Sequence, residues 1–277
     1  ILHHYAHILS VMSEHTLEDD VIGIALDGTG YGEDGAFWGG EVMVANSQSF
    51  KRTAHFEYLP IPGGEKAIME PWRMAVSYLD KYMDDGREIA HSLFQSRSEK
   101  LKIVFQAMDR SINTPQTSSC GRLFDAVAAI LGIRNEVAYE GQAAILLESH
   151  ATKLSDDVPE LGSFELIKNE GQYVISPNKI IQKIVELRRS NRDIPGICIA
   201  FHVALADIFV EIASKIRSQT GVNTVALSGG CFQNMLLLKK LKNCLVDNDF
   251  KVFTNVEVPA NDGGISLGQA YWGMHNV

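Results

Sequence analysis

Two apolar runs, one near each end of this 277-residue chain, constrain the fold more than any other feature. Val21–Leu26 leads into Asp27-Gly28-Thr29-Gly30-Tyr31-Gly32, and Thr224–Leu227 leads into Ser228-Gly229-Gly230. Short, nearly unbroken apolar runs suit strands buried on both faces of a sheet. The glycines that follow permit positive φ and let backbone N–H groups approach a phosphate closely. A helical pattern begins after the second run, so a helix N-terminus could face an anion there. Asn234 lies in its first turn, where an amide could bond a ribose or a base. Together the two loops point to nucleotide binding, with an ordinary hairpin turn as the other reading of the first. Neither loop matches G-x-x-x-x-G-K-[ST] or G-x-G-x-x-G, which argues against a P-loop and a dinucleotide fingerprint.

The rest of the chain fills in an α/β pattern. A short helix is predicted over 2–15, then three strands over Val21–Leu26, Trp38–Ala45 and Lys51–Tyr58. Pro60–Gly64 reads as a loop. Residues 70–112 are helical in period, and further helices follow over Arg122–Leu131 and about 141–153. Residues 155–195 are more polar and read as a peripheral insertion carrying a strand pair and a helix. A long helix over about 197–218 ends near Gly221, and the chain then alternates strand, helix, strand, helix to Met274. This order fits a mixed sheet flanked by helices, as in one lobe of the actin-like/sugar-kinase ATPase architecture.

His3 and His7 stand four apart, so a helix would project both imidazoles from one face toward a single metal. Asp27, at the end of its strand, is a third possible ligand. Asp262, in Asn261-Asp262-Gly263-Gly264, either caps the last helix or completes a metal site with the histidines. Asp125 opens a helix as a first-turn acid, or accepts from a ribose hydroxyl. His202 reads as a hydrogen-bonded core histidine. Cys231, near a helix start, lacks an identifiable His or Asn partner for a nucleophile's role.

Composition excludes several classes. A net charge of -9 opposes a general nucleic-acid surface, though not a single nucleotide. No apolar run approaches the roughly 18 residues needed to span a bilayer, so no membrane partner is expected. The four cysteines form no C-x-x-C pair, which suits a reducing cytoplasm. The chain opens at Ile1 with a His-rich motif at once, and is expected to be a piece of a longer polypeptide.

Taken in order, the motifs are His3-His-Tyr-Ala-His7, Asp27-Gly-Thr-Gly-Tyr-Gly, Trp38-Gly-Gly-Glu41, Pro62-Gly-Gly64 and Glu70-Pro-Trp-Arg73. Then come Thr117-Ser-Ser-Cys-Gly-Arg-Leu-Phe-Asp-Ala-Val127, Tyr139-Glu-Gly141, Ser228-Gly-Gly230, Phe232-Gln-Asn234 and Asn261-Asp-Gly-Gly264. They cover almost the whole chain. In this order they resemble the C-terminal domain of the hydrogenase-maturation carbamoyltransferase family HypF, itself similar to the threonylcarbamoyl-tRNA enzymes. The resemblance implies an iron or zinc ion on His3, His7 and Asp262, with Asp27 as a fourth ligand. It implies that Gly28, Thr29, Gly30, Gly229 and Gly230 hold the nucleotide, with Asp125, Gly141 and Asn234 at adenosine.

It also implies a division of labour. Another domain would make carbamoyl-adenylate from ATP and carbamoyl phosphate. This domain would pass the carbamoyl group to the C-terminal cysteine of a hydrogenase-maturation partner, toward the cyanide ligands of the NiFe centre. No catalytic base is identified, because a thiol of pKa about 8.5 partly ionises unaided. The sequence lacks the acylphosphatase-like, zinc-finger and adenylate-forming domains of the full-length family, together with the first strands of the N-terminal lobe. Residues 1–20 are therefore expected to be the metal-ligand helix of an incomplete first lobe, and 21–277 the second lobe. Other acceptors remain open: an O-carbamoyltransferase, a tRNA threonylcarbamoyl-type enzyme, or a non-catalytic nucleotide-binding fragment. Tyr5-Ala6, where the tRNA enzymes carry a Glu-Gly pair, favours the hydrogenase branch.

Overall fold

The structure, a computed structural model, describes residues 1–276. Helix α1 (His3–Glu14) precedes strands β1 (Val21–Tyr31), β2 (Phe37–Ala45), β3 (Phe50–Phe56) and β4 (Leu59–Pro60). Helices α2 (Lys66–Met69), α3 (Trp72–Tyr82), α4 (Gly86–Leu93) and α5 (Ser98–Asp109) follow, where one helical region over 70–112 was expected. Next come β5 (Gln116–Thr117), α6 (Cys120–Ile130), α7 (Gln142–Ala151), β6 (Glu165–Asn169), β7 (Gln172–Ser176) and α8 (Asn178–Arg189). The chain closes with α9 (Ile194–Thr220), β8 (Thr224–Ser228), α10 (Met235–Asp247), β9 (Lys251–Thr254) and α11 (Ile265–His275).

One mixed sheet runs in the order β6-β7-β3-β2-β1-β8-β9, with β4 and β5 attached beside β2. The two apolar runs of the sequence become neighbours at its centre. β1 and β8 pair in parallel, Ile22 opposite Val225 and Ala25 opposite Ser228. Alternation along β1 then divides the core. Ile22, Ile24 and Leu26 face the larger cluster with α3, α6 and α9, while Val21 and Ala25 face α1. The segment expected to be an insertion carries β6, β7 and α8, and β7 extends the sheet parallel to β3.

Helix α1 crosses the sheet over Gly23, where an added Cβ would lie 2.6 Å from the Ile8 side chain. Its Ile8, Leu9, Val11 and Met12 are fully buried, each worth about 1.5–3 kcal/mol of removed apolar surface. Helix α11 lies across α1, and the contact is backbone to backbone: a Cβ on Gly268 would collide with the Ala6 carbonyl.

Two sequence readings are corrected. First, β1 does not end at Leu26 in a turn. After an irregularity between Leu26 and Gly30 it pairs with β2 again, Gly30 opposite Trp38 and Tyr31 opposite Phe37. The reversal comes later, where Gly32 N–H donates to the Ala36 carbonyl at 2.9 Å and Asp34 accepts from Trp38 Nε1 at 2.9 Å. Second, α9 is by length and composition apolar enough to cross a bilayer, contrary to the reading that no such run exists. Its apolar stretch is 72% buried, because it packs along the sheet face as a core helix.

The Trp38-Gly-Gly-Glu41 motif builds a buried ion pair. Glu41 Oε2 accepts from Arg52 Nε at 2.5 Å, and Oε1 accepts from Ser118 Oγ at 2.5 Å and from the Gly39 and Gly40 amides. The guanidinium also stacks 3.8 Å from the Trp38 ring centroid. Neighbouring strands β2 and β3 are thereby tied to the segment that starts α6.

Gly268→Ala should separate α11 from α1 and destabilise the fold by about 1–3 kcal/mol, as overpacking does. Urea denaturation against the wild type measures it, with Gly273→Ala, which meets open space, as the control.

Candidate metal centre and cleft

Four side chains from three separate parts of the chain converge at the irregularity in β1 that follows Leu26. Asp27 Oδ2 lies 3.0 Å from His3 Nε2 and 3.1 Å from His7 Nε2. Asp262 Oδ1 lies 3.5 and 3.6 Å from the same two nitrogens. One ligand atom from each of the four can be chosen with all of them within 4.8 Å of one another. Tetrahedral ligand atoms at metal bonds of about 2.0–2.1 Å stand roughly 3.4 Å apart, and the four His–Asp separations of 3.0, 3.1, 3.5 and 3.6 Å lie near that spacing, which makes the group a candidate for a single cation. His7 Nδ1 is buried without a partner, which leaves its ring orientation to the Nε2 side.

The other Asp27 oxygen organises the two glycine segments. Oδ1 accepts from Gly28 N–H at 2.8 Å and from Gly230 N–H at 3.1 Å. The amides expected to meet a phosphate are thus engaged with Asp27. Burial works against the Asp27 charge, yet hydrogen bonds from His3 and His7 overcome it and hold the carboxyl well below the usual carboxylate range. Burial likewise opposes a charge on His7. Its hydrogen bonds to Asp262 and Asp27 win, and its pKa rises to about 9.

Beside the cluster lies a cleft of about 710 Å³. Of the sequence-predicted nucleotide residues, Gly28, Thr29, Asp125, Gly141, Gly230 and Asn234 line it. Gly30 and Gly229 do not, and close approach explains both. A Cβ on Gly30 would stand 2.6 Å from the His4 ring and 2.7 Å from the His3 ring, and one on Gly229 would strike the Leu26 carbonyl. Glu140, Glu148, Ala144, Ile145, Cys231, Gln233 and Asn261 also line the cleft and were not singled out as ligands. Glu140 sits inside the Tyr139-Glu-Gly141 motif. Glu148 lies seven residues after Gly141, on one face of α7, and that helical spacing was the available signal.

Asp125 is buried, and desolvation raises its carboxyl to about 6 against the pull of Arg122, whose Nε stands 2.8 Å away. The Cys231 thiol is held above the ordinary thiol range by its hydrogen bond with Cys120 and by burial, so it stays protonated and is a poor nucleophile.

Asn234 proves to be the N-cap of α10, not a residue of its first turn. Its side-chain Oδ1 accepts from Leu237 N–H at 2.9 Å, and its Nδ2 stands 2.9 Å from His202 Nε2. With His202 Nδ1 2.7 Å from the Cys198 carbonyl, a neutral imidazole protonated at Nδ1 satisfies both contacts. One Asn234 N–H remains for a ligand. Burial lowers the His202 pKa to about 4. Its folded pKa is therefore depressed, so its stabilising share is present above about pH 6.5 and is lost as the pH falls toward 4. That share is about 3 kcal/mol for a shift of this size. The denaturation free-energy gap between wild type and His202→Gln should accordingly shrink across that window in urea titrations.

A family model described as "Carbamoyltransferase, Kae1-like Domain, second subdomain" matches residues 23–269. The chain is 34% identical to Carbamoyltransferase HypF2 of Cupriavidus necator, with 98% of the chain and 36% of that relative covered. It is also 34% identical to the Carbamoyltransferase HypF homolog of the same organism, covering 98% of the chain and 69% of that shorter relative. Among solved structures, full-length HypF in its phosphate- and nucleotide-bound form superposes with a TM-score of 0.91 at 43% identity, over 99% of this chain and 42% of that one. The chain thus spans little more than a third of most full-length relatives, and over that span the motifs, the sheet order and the superposition agree: it belongs to the HypF carbamoyltransferase family.

Proposed function

We propose that this domain binds carbamoyl-adenylate in the cleft beside the His3–His7–Asp27–Asp262 cluster and passes its carbamoyl group to a cysteine thiol of a hydrogenase-maturation partner. One observation carries the reading. Among the described residues five carboxylates line the cleft, namely Asp27, Asp125, Glu140, Glu148 and Asp262, and no Lys or Arg does; Arg122, behind the lining, offsets part of this charge through Asp125 and Glu140. An anionic phosphate is repelled there unless a cation sits at the cluster. The donor set of two imidazoles and two carboxylates suits iron or zinc. Bound there, such an ion supplies charge neutralisation and Lewis-acid polarisation of an adenylate oxygen. That a full-length HypF structure is nucleotide-bound supports nucleotide binding in this family, and we assign it to this cleft.

The chain's own residues position the substrate. Thr29, the free Asn234 N–H and the Asp125 carboxyl line the same cleft and serve as partners for phosphate, ribose or base. Asp27 Oδ1 holds the Gly28 and Gly230 segments together, which sets this edge of the cleft without help from a ligand. AMP is a good leaving group and a thiolate a good nucleophile, so orientation supplies most of what the transfer needs. The acceptor thiol comes from the partner, since Cys231 stays protonated. Helix α1 supplies two of the four cluster residues and packs on the sheet of this domain.

His3→Ala and Asp262→Ala should lose bound metal in elemental analysis, while His202→Ala, whose ring is engaged by Cys198 and Asn234, should retain it. Equal metal content in all three would overturn the assignment. Adenylate affinity measured by calorimetry should fall by about 1–3 kcal/mol in Asn234→Ala and in Asp125→Ala, the cost of one lost buried polar contact. It should fall at least as much in wild type treated with chelator. Unchanged affinity in the chelated protein would show that the phosphate lies away from the cluster.

A further inference from the structure

We infer that Glu14 is a positioning residue for the metal cluster, fixing Asp262 opposite the two histidines by latching the 255–258 segment to α1. The inference rests on the reading of the cluster as a metal site. Asp262 itself is 73% exposed, so side-chain packing does not hold it and its place is set by its backbone. That backbone is attached to α1 on both sides. Downstream, α11 meets α1 at Gly268 against the Ala6 carbonyl. Upstream, three consecutive amides donate to the Glu14 carboxylate: Val256 at 2.7 Å, Glu257 at 3.1 Å and Val258 at 3.0 Å. Asn255 Nδ2 adds a fourth bond at 3.2 Å and also reaches Ser10 Oγ at 2.9 Å. Asn255 Oδ1 accepts from Ser228 Oγ at 2.7 Å, which ties the same segment to the end of β8.

The spacing on α1 makes this a single device. His3, His7, Ser10 and Glu14 are separated by four, three and four residues, so they form one stripe along one face of the helix. Two of them are cluster ligands and the other two grip the segment that delivers Asp262. Convergent amides form a nest for an anion, and here a side chain of the ligand-bearing helix fills it. The position also runs against local preference. A carboxylate in the last turn of a helix is opposed by the helix dipole, and α1 carries no basic residue there to offset it. A local rule broken beside a site, with a specific compensating contact, marks a positional role.

The test is a Co²⁺ titration of the intact protein, followed by visible absorption, which reports coordination geometry, with affinity taken from competition with a chelator. Glu14→Gln is nearly isosteric but turns one acceptor oxygen into a donor facing N–H groups. It should weaken Co²⁺ on the order of 10- to 100-fold, as loss of an outer-shell partner does, and shift the spectrum toward that of Asp262→Asn. Glu14→Asp, which keeps the charge with a shorter reach, should fall between wild type and Glu14→Gln, and serves also if Glu14→Gln folds poorly. The double variant Glu14→Gln/Asp262→Asn should bind no more weakly than Asp262→Asn alone, because Glu14 acts only through Asp262. Wild-type affinity and spectrum in both Glu14 variants would overturn the inference and leave the metal site standing. So would a double variant weaker than Asp262→Asn by the whole Glu14 factor. A wild-type protein that takes up no Co²⁺ would overturn the site reading, and this inference with it.

Discussion

A buried carboxylate must be fully partnered, and in this protein the partners of one carboxylate decide how three parts of the chain meet. Asp27 is only 6% exposed. One oxygen gathers the amides of Gly28 and Gly230, the other faces His3 and His7. Those contacts come from β1, from the loop after β8, and from α1, so meeting the hydrogen-bonding need of one group joins the centre of the sheet to the helix that covers it. Ser119 adds a link by donating toward the Asp27 carbonyl at 2.9 Å while capping α6. Around that point close approaches follow. Gly39 stands where a Cβ would be 2.6 Å from the Asp27 carbonyl, and Gly121 where one would be 2.8 Å from Gly28 Cα. The glycines of the site therefore answer packing needs: Gly39 and Gly230 that of Asp27, Gly30 that of the His3 and His4 rings, and Gly229 that of the Leu26 backbone.

Much of the fold was legible because apolar periodicity and turn chemistry agreed with the final structure along most of the chain. The 2–15 helix, the strands at 21, 38 and 51, and the strand–helix alternation after Gly221 sit within a few residues of where they were expected. The ligand cluster could be proposed because His3 and His7 have helical spacing and carboxylates beside glycines stand out. Where the reading missed, a tertiary contact outweighed a local signal. Asp27-Gly-Thr-Gly has the composition of a turn, yet the strand continues because the glycines make room for imidazoles. Helix α9 carries as much apolar length as a membrane span because it is buried within the core. Asn234 was expected inside a helix and instead caps it, a difference of one residue that fixes which way its amide points.

Spacing gives no sign of Glu14, and for Glu148 it marks the helix face but not the partner. Each is an ordinary helical glutamate in sequence, and each acquires its role from backbone amides far away: Val256–Val258 for Glu14, and Leu236 N–H at 3.0 Å for Glu148. Side-chain-to-backbone bonds of this kind leave no residue-type signature at the receiving end, because any residue there offers the same N–H. Signals of this class become visible only when the chain is folded.

The contact between α1 and α11 also bears on the order of events in folding. His3 and Asp262 stand near opposite ends of the chain, and closing so long a flexible loop costs about 5 kcal/mol of chain entropy. Within the fold the helices and the β1–β8 pairing themselves close it, so an ion bound at the cluster would meet a loop already shut. The cluster can then assemble only after the most non-local contacts of the molecule have formed, among the slowest to appear in a mixed sheet. Interactions made that late slow unfolding more than they hasten folding. An ion across α1 and the Asp262 turn would thus act as a kinetic clasp, lengthening the lifetime of the native state.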